Sequence, residues 1–197
     1  AAFQDENISG LGGVSADISL QAGEGDIDNG WVLSTSLGAG DYNAAADTFE
    51  IRGNTSFEPD TNPLNWNRGF GQVWSQDAAT ANPFSFVIEI SDIVGTGSIQ
   101  FSVLLYGSAD ESLFNQTVSL GEPSTIAGGP ATVADGNVTF IGQYDTNTIS
   151  SAGTLSTGTI TPGTFDNLAA VFYPISSDLG FNEGIDVSSV SVVPEPS

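Results

Sequence analysis

The chain has no cysteine, methionine, histidine or lysine, and its only basic residues are Arg52 and Arg68. Without cysteine there are no disulfides, no zinc–thiolate sites and no thiol catalysis. Without His, Cys or Lys there is no Ser/His triad and no amine nucleophile. A glycosidase-type carboxylate pair stays chemically open, but 24 acidic residues give many accidental pairs and context singles out none. No catalytic residue is assigned, and the reading is that the protein is not an enzyme. Long helical periodicity is also missing. The best helical stretch, residues 41–47, is short and interrupted by Asn43. No apolar run is long enough to span a membrane. The missing methionine, together with the start Ala1-Ala2, predicts a mature chain from which a secretory signal has been removed.

What is abundant is acid. The formal net charge is −22 over 197 residues. Such a surface repels phosphate backbones and disfavours nucleic acid as a partner. Divalent cations bridging carboxylates relieve the repulsion and add bonds, so Ca²⁺ is the cofactor expected. Glycine is also abundant at 24 residues, and 12 phenylalanines can fill a core. Together they imply many turns between short strands.

The strand pattern is strongest from Phe84 to Tyr106. Phe84, Phe86, Ile88 and Ile90 share one parity, and Ile99, Phe101, Val103 and Leu105 share another. Side chains alternate along a strand, so each half presents one apolar face. With Gly95 and Gly97 between them, the two halves are expected to form a central antiparallel hairpin, both glycines tolerating positive φ. Further strands are expected at 14–21, 31–37, 48–52, 113–120, 137–144, 168–175 and 184–193. The strand at 168–175 should be buried on both faces. Residues 150–164 read as an edge strand or a loop. Residues 53–83 form the longest irregular stretch, with a short element at 71–75, and should carry Trp66 and Trp74 in a surface-covering region. The fold expected is all-β, an antiparallel two-sheet sandwich of jelly-roll type. Residues 1–10 are an N-terminal arm or edge strand, 11–193 a single domain, and 194–197 a processed tail.

The last strand runs into Val193-Pro194-Glu195-Pro196-Ser197. This ending resembles the C-terminal end of PEP-CTERM bacterial surface proteins, which an exosortase processes. The hydrophobic helix and basic cluster that follow the motif in that family are absent here, as in a processed form. The resemblance covers about a dozen residues. It implies export to the outer surface or extracellular matrix of a Gram-negative bacterium, and often glycosylation. The alternative is a prolyl stop after the last strand.

Four groups of residues carry candidate chemistry. Glu24, Asp26, Asp28 and Asn29 lie among glycines and suit a hard cation, which takes oxygens from carboxylates and carbonyls. The alternative is a solvated turn. Trp66, Trp74, Arg52 and Arg68 could form an aromatic platform for a sugar, or could cover the core while the arginines pair with acids such as Glu50. Asn7, Asn54, Asn115 and Asn137 stand in N-glycosylation patterns. The threonine-rich 154–164 stretch is an alternative place for O-linked sugar. Finally, Phe3 and Ile8 in the N-terminal arm could anchor it as a strand on a neighbouring copy and so build a filament.

The function expected is a secreted, self-associating structural protein of the cell surface or extracellular matrix, linked by divalent cations. A homo-oligomer or polymer is the expected partner. The alternative is a polysaccharide-binding module, and a secreted glycoside hydrolase is a third reading.

Overall fold

The computed structural model describes residues 26–28, 31–33, 40–43, 48–52, 70–75, 82–109, 138–176 and 183–195. Among them are strands and no helix: β1 (Asp26–Asp28), β2 (Trp31–Leu33), β3 (Gly40–Asn43), β4 (Thr48–Arg52), β5 (Phe70–Ser75), β6 (Phe84–Val94), β7 (Ile99–Ser108), β8 (Val138–Asp145), β9 (Gly153–Ser156), β10 (Asn167–Ser176) and β11 (Gly184–Pro194). They form two sheets, antiparallel at every described pairing. One has six strands in the order β1-β2-β5-β10-β7-β8, and the other has five in the order β3-β4-β11-β6-β9.

The alternation read from the sequence explains the core. Phe84, Phe86, Ile88 and Ile90 of β6 join Ile185, Val187, Val190 and Val192 of β11 on one face of the five-stranded sheet. Ile99, Phe101, Val103 and Leu105 of β7 join Leu168, Ala170 and Phe172 of β10 on one face of the six-stranded sheet. All of these belong to a single buried cluster. The Phe86 and Phe172 rings meet edge to face, centroids 5.0 Å apart at 83°, across the two sheets. Such a contact adds about 0.5–1.5 kcal/mol to the burial of the rings themselves.

The expected hairpin does not form. β6 pairs with β11 and β9, whereas β7 pairs with β10 and β8, so the two strands lie in different sheets. Equal parity reports only that each strand has one apolar face. In a hairpin those faces lie side by side; here they meet face to face across the core. The chain turns between sheets through Gly95, whose φ is +124°. A Cβ there would also stand 2.6 Å from the Glu183 carboxyl carbon. Gly97 is buried and does not take positive φ, so that expectation holds at Gly95 alone.

Two strands of the six-stranded sheet, β7 and β10, are buried on their second face as well. Leu104, Tyr106, Ala169, Val171 and Tyr173 are buried but lie outside the central cluster. This agrees with the near-continuous apolar run of β10. The Tyr106 ring packs at 5.3 Å against Phe140 of β8. Gly107 is needed for close approach: a Cβ there would stand 2.4 Å from the Phe165 ring.

Two further differences from expectation concern short strands. β5 runs between β2 and β10, so Trp74 belongs to an interior strand, paired with Leu168, rather than to a covering loop. Asp26 and Asp28 lie on β1, with Asp28 paired to Trp31. The intervening sequence, Asn29-Gly30, is the pair that favours a two-residue hairpin connection.

Candidate functional site

The five-stranded sheet aligns acidic residues that are far apart in sequence. Asp41 of β3 pairs with Glu50 of β4, Glu50 with Asp186 of β11, and Asp186 with Asp92 of β6. Four neighbouring strands therefore each place a carboxylate residue in one row. Asp92 is exposed and Asp186 half-buried. Directly opposed residues in antiparallel strands stand about 5 Å apart, and like charges there are unfavourable. For Asp186 and Asp92 such an opposition costs roughly 0.8 kcal/mol in water before screening. Arg52 lies two residues beyond Glu50, on the same face of β4, and pairs with Gly184.

A compensated pair of bulges borders the row. Asp186 pairs with Asp92 but Val187 pairs with Ile90, so Ser91 is extra on β6. Ser189 then pairs with Glu89, so Ser188 is extra on β11 and the original register returns. Each extra serine bonds across the ladder. The Ser91 hydroxyl donates to Asp186 O at 3.2 Å, and the Ser188 hydroxyl to Glu89 O at 3.2 Å. The cancelling shifts keep Ile185 opposite Ile93 and Val190 opposite Ile88. Glu89 accepts the Thr154 hydroxyl at 3.0 Å on β9, extending the polar face to the sheet edge.

Residues 145–157 cross from one sheet to the other and close that side. Two threonines make the same pair of bonds to a core phenylalanine. Thr146 N–H donates to Phe101 O at 2.9 Å, and Thr146 Oγ1 accepts Phe101 N–H at 2.9 Å. Thr157 N–H donates to Phe86 O at 3.0 Å, and Thr157 Oγ1 accepts Phe86 N–H at 2.9 Å. Between them Asn147 occupies the outer edge of β9. Its Oδ1 accepts Ser156 N–H at 2.7 Å, its Nδ2 donates to Thr154 O at 3.4 Å, and its own N–H donates to Ser156 O at 3.3 Å. Those are the groups that an added strand would use, so this edge is capped.

A smaller polar group lies on the second face of the six-stranded sheet. Buried Ser102 donates to Asp145 Oδ1, and Gln143 Nε2 donates to Ser102 Oγ at 3.3 Å and to Asp145 Oδ1 at 3.1 Å. The buried Tyr106 hydroxyl, on the same strand, has no hydrogen-bond partner among the described residues. Burial, with Tyr173 as a lesser cause, pushes the Tyr106 phenol well above its usual range.

The residues singled out from sequence are only partly described. Glu24, Asn29, Trp66, Arg68, Asn7, Asn54, Asn115 and Asn137 lie outside the described residues, as do the arm 1–10 and the strands expected at 14–21 and 113–120. Of the proposed sugar platform, Arg52 lies on β4 of the five-stranded sheet and Trp74 on β5 of the six-stranded sheet. Among the described side chains no group of three or more acids converges as a metal cage. No described helix is long and apolar enough to cross a membrane. The acidic row and the Asn147 cap were not found by sequence reading. Both depend on register, and the only local signal was the polar parity of each strand.

No protein-family model matches the chain, and no curated protein matches it.

Proposed function

We propose that this is a secreted structural protein of the bacterial cell surface or extracellular matrix that self-associates with the help of divalent cations. The observation that carries this reading is the acidic row across β3, β4, β11 and β6. It is a line rather than a cage, so it offers any one ion only part of a shell of six to eight oxygens. Water or a second copy supplies the rest, and an ion shared between two copies links surfaces that would otherwise repel at a net charge of −22.

The body suits that role as a sandwich of jelly-roll type, its two sheets facing across one cluster. The side closed by residues 145–157 is capped against strand addition, which would direct association elsewhere on the surface. The C-terminal Val193-Pro194-Glu195 supports export to the outside of a Gram-negative cell. It leaves the end of β11, a strand paired on both sides, and Glu195 N–H still donates to Pro83 O at 2.9 Å. A surface anchor following this motif would pull directly on the sheet.

Sedimentation and light scattering of the full chain, in CaCl₂ and then in excess chelator, test the proposal. Particles should grow in calcium and disperse on chelation. Identical size in both, over a wide range of protein concentration at low ionic strength, refutes it.

A further inference from the structure

We propose that Ser102 and Gln143 become joined by a side-chain ester, a covalent tie between β7 and β8 that forms with Asp145 as its acid–base group. Three polar side chains meet there in a closed triangle. The Ser102 hydroxyl donates to Asp145 Oδ1, Gln143 Nε2 donates to the same Oδ1 at 3.1 Å, and Nε2 also donates to Ser102 Oγ at 3.3 Å. Register builds the group. Ser102 pairs with Asp145 and Leu104 with Gln143, so alternation puts all three side chains on one face. Ser102 is wholly buried, Gln143 half-buried and Asp145 exposed.

The triangle brings together a nucleophile, an acyl group and a base, the three parts that acyl transfer needs. An ionised carboxylate only accepts, so Gln143 turns its amide nitrogen rather than its oxygen toward Oδ1. One carboxylate oxygen therefore touches both the hydroxyl that attacks and the nitrogen that leaves. Ser102 Oγ bonds to Gln143 Cδ as its proton passes to Asp145. Collapse of the tetrahedral intermediate breaks the Cδ–Nε2 bond, and Asp145 gives that proton to the departing nitrogen. The products are the ester and ammonia, and Asp145 ends as the carboxylate it began as. Cδ is one bond from Nε2, so a small shift of the unbranched Gln143 side chain brings it to the roughly 3–3.5 Å of a near-attack geometry. Exchanging an amide for an ester is unfavourable between free reactants in water. Here the fold holds the reactants together, and the released ammonia is protonated and diluted away. Burial of Ser102 shields the ester from hydrolysis. The reaction runs once per chain, so slow maturation suffices.

The position gives the bond a use. β8 is the last strand of its sheet and pairs, among the described residues, with β7 alone. No cysteine is present to staple it. An ester between Ser102 and Gln143 closes a long loop and so constrains the unfolded chain as a disulfide does.

The intact mass of the purified full chain, read before any variant is made, decides the question. It should be lower than the sequence mass by one ammonia, about 17 Da. After proteolysis the Ser102 and Gln143 peptides should be recovered as one linked species, which hydroxylamine separates to leave a hydroxamate at Gln143. Ser102→Ala, Gln143→Glu and Asp145→Asn should each show the full mass of their own sequence and no linked species. A wild-type chain that keeps its full mass after prolonged incubation, with Ser102 and Gln143 in separate peptides, overturns the proposal. An ammonia loss that persists in Ser102→Ala, or that maps to a succinimide at Asn29-Gly30, overturns it too. So does conversion of Gln143 to glutamate with no linked species at any time.

Discussion

Removing the Asn147 side chain should weaken the fold modestly and open a sheet edge. Asn147→Ala deletes the Oδ1 acceptor for Ser156 N–H and the Nδ2 donor to Thr154 O, at 2.7 Å and 3.4 Å. The backbone bond from Asn147 N–H to Ser156 O can remain. A typical intramolecular hydrogen bond contributes about 0.5–1.5 kcal/mol net. The longer bond is near the limit of useful geometry, and both freed groups can be hydrated, because Thr154 is exposed and Ser156 partly so. The expected loss is therefore about 1 kcal/mol, which for a domain of this size lowers the melting temperature by roughly 2–4 °C. The second effect is on association. Ser156 N–H and Thr154 O become available to another strand, so the variant should self-associate even in chelator. Asn147→Asp keeps an acceptor for Ser156, loses the donor to Thr154 and adds a charge at the edge. It should be destabilised without associating. Thermal melts and sedimentation velocity in chelator, across a concentration series, measure both effects. If Asn147→Ala matches the wild type in melting temperature and size, the capping argument is wrong.

Tyr106→Phe removes an unpaired buried hydroxyl and should stabilise the protein by about 1 kcal/mol at neutral pH in urea unfolding. The raised Tyr106 pKa adds a sign: its contribution is fully present below the unfolded tyrosine value near pH 10 and is lost as pH rises beyond it, because only the unfolded state then loses the proton. Tyr106→Phe should therefore flatten the alkaline fall in stability; an unchanged alkaline limb would contradict the assignment. Gly107→Ala should cost about 1–3 kcal/mol in the same assay, since the new methyl overlaps the Phe165 ring. Asp92→Asn should raise the calcium-free melting temperature at low salt by up to about 2–4 °C, corresponding to roughly 1 kcal/mol of relieved repulsion, and the gain should vanish at high salt.

Much of the strand framework was legible because one physical signal, alternation against a half-buried face, dominates it. Phe84 to Ile90 and Ile99 to Leu105 each keep one parity, and each set enters the core, whereas on β11 the core parity switches between Val187 and Val190 at the Ser188 bulge. Leu168 to Tyr173 lacks alternation, and β10 is buried on both faces accordingly. Short strands were harder. Asp26-Ile27-Asp28 and Gly40–Asn43 have too few positions for a period to appear, and their polarity resembles that of loops. The sheet assignment of β6 and β7 was not legible at all. Parity is a property of one strand, whereas pairing is a property of two, and the sequence near Gly95 is compatible with either.

The acidic row shows the same limit. Asp41, Glu50, Asp92 and Asp186 are each unremarkable as an outward polar position on a strand. Their alignment arises from three pairings that join segments far apart in the chain. The β11–β6 pairing holds its core partners on both sides of the bulges only because two single-residue shifts cancel. With Ser91 alone inserted, the register beyond Ile90 would slip by one, and a slip by one exchanges the buried and exposed faces. Ser188 prevents that, and the bulged serines replace lost ladder bonds with hydroxyl donors. The irregularity is thus confined to the segment beside Asp186 and Asp92, while valine and isoleucine pair normally on either side. Bulges increase local twist and re-aim side chains. Their position next to the row, rather than at a strand end, changes the sheet where its negative charge is concentrated and leaves the packing of the core intact.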